Sequence, residues 1–176
     1  MTVRLRAHHL LCLLTYSGKG YSSAFTTNLD SVADRIQLGE EIVVVSEADD
    51  VCAPLLAESD VHCHRESVMR RDDVAAAELS AILGYSIRPG TAFRMDGELI
   101  TTMRDAFVAG VTRSACGACE WSGLCSTTAA AHYVGARLTT PHSPPDGSRR
   151  STIRPAAVLQ SARALPDDPL SKLSFP

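Results

Sequence analysis

Apolar residues in the first 140 positions recur in blocks whose spacing shifts between helical and extended. His8 to Thr15, "HHLLCLLT", reads as a short helix that "SGKGYSS" then breaks. From about Ser23, Phe25, Leu29, Val32 and Ile36 follow one another three and four positions apart, with Gly39 just past the expected helix end. "EIVVV", Glu41 to Val45, is a continuous apolar run suited to a buried strand. Residues 46 to 64, with Pro54 and two cysteines, show no period. Glu66 to Leu83 predicts a third helix with Val68, Ala75, Leu79 and Ile82 inward and Gly84 as its stop. "SIRPGTAF" reads as a turn, after which Asp96 can cap a fourth helix reaching about Ala109. "STTAAAHYVGARL" predicts a last short helix. Four or five helices with one or two short strands make a single compact, mainly helical α+β domain.

The composition changes at Pro141. Seven of the nine prolines, Pro141 included, and none of the six cysteines lie from there on. Residues 1 to 140 therefore form the predicted domain. Residues 141 to 176 are expected to be a largely disordered tail, with one short helix around Ala156 to Ala164. A formal net charge of -3 argues against a general nucleic-acid binder, which carries a basic face. The start "MTVRLRAHHLLCLL" imitates a signal peptide, but its apolar run is short and no small-residue cleavage site follows. No segment reaches the roughly 20 apolar residues that span a bilayer. The expected compartment is the cytoplasm, where cysteines serve as metal ligands or reduced thiols and not as a disulfide framework.

The chemistry-bearing stretch is "CGACEWSGLC", with Cys116, Cys119 and Cys125 around the only tryptophan. A C-x2-C turn lets two sulfurs converge on one metal centre, and Gly117 is expected to supply a positive φ and an exposed N–H there. Cys125 lies at the start of the last predicted helix, where free N–H groups and the helix dipole favour a thiolate. Trp121 can shield the site from water. The spacing is neither the C-x2-C-x2-C nor the plant-type C-x4-C-x2-C of ferredoxins.

Three thiols leave a tetrahedral site or a cluster one ligand short. Cys12 follows His8 and His9 by four and three positions, so all three can share a helical face. Cys52 follows "EADD", and Cys63 lies between His62 and His64. An all-cysteine site suits either zinc or an iron–sulfur cluster, and a second group built from Cys12, Cys52, Cys63 and a histidine stays open.

The motifs "LRAHHLLCLLTYSGKGYS", "DDVCAPLL", "HCHRESV" and "CGACEWSGLC" resemble the domain-of-unknown-function family numbered twelve-eighty-four. It comprises small bacterial and archaeal proteins regarded as iron–sulfur binding and sometimes labelled ferredoxin. The resemblance spans roughly residues 3 to 135. It implies metal or cluster ligands at Cys12, Cys52, Cys63, Cys116, Cys119 and Cys125. Leu55 stands where some relatives carry a further cysteine, which favours one cluster with two spare thiols.

Three functions follow as expectations. The first is a cytosolic iron–sulfur protein with a [4Fe–4S] or [2Fe–2S] cluster, passing electrons to a redox partner protein or sensing redox state. The second is a zinc-stabilised protein-interaction module. The third is an iron–sulfur enzyme using His8, His9 and Cys12. The chain has no dinucleotide-binding glycine motif, phosphate loop or H-E-x-x-H. Arg70 and Arg71 beside Asp72 and Asp73 read as a solvated charge cluster.

Overall fold

The computed structural model describes residues 1–57, 63 and 65–140. The predicted tail, His62 and His64 lie outside them. The elements run β1 (Thr2–Leu5), α1 (Ala7–Thr15), α2 (Ser23–Gln37), β2 (Glu41–Val44), α3 (Glu66–Leu83), β3 (Ala92–Phe93), α4 (Gly97–Val108) and α5 (Ser122–Ala130). Short 3-10 turns occupy Ala53–Ala57 and Ser114–Cys116. The architecture is mainly helical α+β, with a sheet ordered β1-β2-β3.

β1 and β2 pair in parallel, with Val3 opposite Ile42 and Leu5 opposite Val44. β3 runs antiparallel to β2, with Phe93 opposite Ile42. Alternation puts Val3, Leu5, Ile42, Val44 and Phe93 into the core. The sequence reading had no strand at Thr2–Leu5 and took Ala92–Phe93 as part of a turn. Four and two residues are too short to show a period by themselves. Their pairing with β2 makes them strands.

α1 is the central helix. Ala7, Leu10, Leu11, Leu13 and Leu14 are all buried, so the helix is apolar around most of its circumference. Such a helix has to be enclosed, and α1 packs against α3, α4 and α5. Its C-terminal carbonyls need partners inside the protein. Buried Arg104 of α4 supplies one, donating to Leu14 O at 2.9 Å and to Leu138 O at 2.8 Å. The guanidinium also lies 4.5 Å from the centre of the Tyr133 ring.

The other helix ends follow local rules. Ser22 Oγ accepts from the Phe25 N–H at 3.1 Å, and Asp96 Oδ1 accepts from the Leu99 N–H at 2.8 Å. Gly84 closes α3 at φ +74°, a conformation that costs any residue with a Cβ. In α3, Val68, Ala75 and Leu79 are buried as expected, while Ile82 is half-buried. α5 is shorter than the sequence suggested. It stops at Ala130, and His132 and Tyr133 follow at φ 53° and 59°. No helix among the described residues is long and apolar enough to cross a membrane.

Replacing Arg104 with Met should lower the unfolding free energy by about 3 kcal/mol, because two buried carbonyls lose a charged donor. Asp96→Ala should cost only about 1 kcal/mol, the worth of one exposed cap. Urea unfolding of the two variants checks the difference.

Candidate metal centre

The "CGACEWSGLC" run winds through consecutive tight turns. Cys119 N donates to Cys116 O at 3.0 Å, Ser122 N to Cys119 O at 3.0 Å, and Cys125 N to Trp121 O at 2.9 Å. Two expectations are corrected here. Gly117 is right-handed at φ −57°, because it continues the 3-10 turn and donates its N–H to Ser114 O. Cys125 lies in the first turn of α5, but its own N–H is already used by Trp121.

α1 carries Cys12 to this run. Burial pushes the Cys12 thiol well above its usual range, and proximity to Cys119, Cys125 and Cys116 pushes it further. The Cys116 thiol is raised by burial and then by Cys119 and Cys125. All four cysteines are half-buried. Cys52 and Cys63 are more deeply buried, each 3% exposed. The Cys52 thiol hydrogen-bonds to Cys63 and to the Asp49 carboxylate.

The helical face proposed for His8, His9 and Cys12 divides its contacts. His8 Nδ1 lies 2.6 Å from Asp72 Oδ1 on α3. His9 Nδ1 lies 2.6 Å from Asp49 Oδ2, in the loop after β2. The two imidazole centroids are 4.1 Å apart. Between the carboxylates sits Arg6, its Nε donating to Asp72 Oδ2 at 2.6 Å and Nη1 to Cys63 O at 2.6 Å. The Arg6 backbone N–H goes to Asp49 Oδ2 at 2.7 Å. Asp49 Oδ1 accepts from the Val51 and Cys52 N–H groups, both at 3.1 Å.

These groups surround one cavity of about 130 Å³, lined by all six cysteines and by His8 and His9. Tyr21 and Trp121 also line it, in edge contact with ring centroids 5.4 Å apart. Among the described residues, the ligand atoms of His9, Asp49 and Cys52 all lie within 4.8 Å of one another.

Arg6, Asp49 and Asp72 are participants that the sequence reading missed. The "RRDD" run reads as a solvated cluster, yet the Asp72 side chain is 14% exposed and ion-paired with Arg6 at 2.5 Å. Arg71 also departs from that reading by lining the cavity. Arg70 does stay exposed, 4.0 Å from Glu66. A "DD" three residues before a cysteine was the available signal for Asp49. Nothing local marked Asp72.

The sequence pattern of the family described as Protein of unknown function (DUF1284) matches residues 20–125, more than half of the chain. The chain belongs to DUF1284. No curated protein and no solved structure matches it. The DUF1284 match includes Asp49, Asp72 and five of the cysteines, and begins after His8, His9 and Cys12.

In this DUF1284 protein the cavity wall is electrostatically divided. Burial pushes His8 down to about 4, helped by His9 and opposed by Asp72. His8 is therefore neutral at pH 7, donating Nδ1–H to Asp72 and keeping a lone pair on Nε2. Burial would raise Asp49, but His9 and the Arg6 N–H hold its carboxyl well below the usual carboxylate range. Burial likewise opposes ionisation of Asp72, yet hydrogen bonds from His8 and Arg6 keep its pKa lowered.

A histidine lowered on folding binds fewer protons in the native state. Its contribution to stability is present above the unfolded pKa of about 6.5 and is lost as pH falls. The urea midpoint of metal-free protein should therefore fall between pH 6.5 and pH 4. His8→Gln should flatten that slope in a pH series of urea melts.

Proposed function

We propose that this chain is an iron–sulfur protein in which Cys12, Cys116, Cys119 and Cys125 hold one cluster. The observation that carries the reading is that Cys12, on α1, lines the same cavity as the three cysteines of the distant run, with α1 packed against α5. Cys12 supplies the ligand that the run lacks. The residues between Cys12 and Cys116 provide no local reason for that placement. It follows from the packing of α1 against α5.

The donor chemistry fits: four thiolates are the usual ligands of [4Fe–4S] and [2Fe–2S] centres, and the same set can hold tetrahedral zinc.

A bound cluster supplies one-electron redox chemistry at potentials set by its surroundings. The chain's own contribution is to exclude water and position charge. Trp121 and Tyr21 cover one side of the cavity with aromatic surface, and Arg71 contributes positive charge that favours the thiolates of Cys12 and Cys116. These features support electron transfer to a partner protein or redox sensing. The enzyme reading that grouped His8 and His9 with Cys12 has less support, because both histidines are engaged with carboxylates and Cys12 with thiols.

Protein purified without oxygen should be brown, absorb near about 400 nm, and contain iron and acid-labile sulfide in equal amounts. Cys12→Ser should reduce cluster content as severely as Cys119→Ser, whereas Cys63→Ser should leave it intact. A colourless protein holding stoichiometric zinc on the same four thiols would refute the reading.

A further inference from the structure

We propose a second, mononuclear metal site, separate from the four-thiol group, in which His9, Asp49, Cys52 and Cys63 hold a borderline divalent ion, zinc or iron(II). One ligand atom each from His9, Asp49 and Cys52 falls within a 4.8 Å group. Cys63, buried and paired with the Cys52 side chain, is the fourth donor, although it is not part of that 4.8 Å group.

The positions are fixed before any ion arrives. His9 projects from buried α1, and Asp49 is anchored by the backbone N–H groups of Arg6, Val51 and Cys52. Cys52 N also donates to Asp49 O at 3.0 Å, a tight turn that brings the carboxylate and the thiol to the same side. Arg6 Nη1 holds the Cys63 carbonyl, which places the last donor.

Charge points the same way. Asp49 is buried with its Oδ2 2.6 Å from His9 Nδ1, while the guanidinium of Arg6 is turned toward Asp72 and Cys63 O. Asp49 receives only the Arg6 backbone N–H from that residue. A divalent ion would balance the carboxylate and the thiolates together, with the thiol protons of Cys52 and Cys63 released to solvent. One imidazole, one carboxylate and two thiolates form a mixed N/O/S set. That set selects zinc or iron(II) over magnesium or calcium, which take oxygen ligands.

The experiment is anaerobic cobalt(II) titration of the full-length protein, followed by X-ray absorption at the cobalt edge. If zinc is already bound, the zinc edge is measured. The expected result is about one ion per chain in a mixed shell of sulfur and nitrogen or oxygen. Cys52→Ser and His9→Gln should each weaken cobalt binding by about tenfold or more, with iron and sulfide content unchanged. Cys116→Ser should lower iron and sulfide but leave the cobalt spectrum in place.

A sulfur-only shell would put the ion on the four thiols and overturn the proposal. So would an oxygen-only shell, no cobalt uptake, or uptake insensitive to both Cys52→Ser and His9→Gln. The X-ray measurement uses the unaltered chain, so a variant that fails to fold does not blunt it. The cluster reading is judged separately by iron and sulfide, so either can fail alone.

Discussion

The arrangement depends on a buried cation at the junction of β1 and α1. Arg6 is 1% exposed, and such a group is tolerated only when its charge and donors are matched. Asp72 matches the charge, Cys63 O takes a second donor, and the Arg6 backbone N–H meets Asp49. One residue thus ties α1 to α3, to the loop after β2 and to Cys63. These are the segments that bring His8, His9 and Cys52 to the cavity. Removing either partner of such a buried pair costs about 3–5 kcal/mol, because the remaining charge stays desolvated. Arg6 and Asp72 therefore constrain each other, and the cavity wall is built on that constraint.

The same electrostatics explains why the cysteines are unlike ordinary core thiols. A lone buried cysteine behaves as a small hydrophobe. Here Cys12 and Cys116 are raised by their thiol neighbours as well as by burial, so the group resists ionisation while no cation is present. A positive centre among them would reverse that balance. Several of the cysteines sit in irregular or short segments: a 3-10 turn at Cys116, the turns through Cys119, and the loop at Cys52. Val51, Leu55 and Ala115 tie these segments to the core, and a metal bound between them would add directly to folding.

The helices were legible because their signals are local. α2 and α3 have apolar residues at helical spacing and a glycine beyond the end, and Asp96 marked the start of α4. β1 and β3 were not legible, since a four-residue strand next to a helix and a two-residue strand after a turn acquire their identity from β2. The site was half legible. The C-x2-C-x5-C pattern marks three thiols, but choosing among Cys12, Cys52 and Cys63 depends on how α1 packs, which no local spacing encodes. Asp72 shows the converse problem. "RRDD" has the look of solvent-facing charge, and only the burial of Arg6, 66 positions earlier, turns Asp72 inward.

α1 also determines how the two proposed sites relate. His9 and Cys12 are three residues apart, so they lie on neighbouring turns of one helical face. His9 belongs to the N/O/S group and Cys12 to the four-thiol group, and both line the same cavity. Charge added at one group is therefore felt at the other across a short, poorly screened interior. A change in oxidation state among the four thiols would alter the field at His9 without any movement of the backbone.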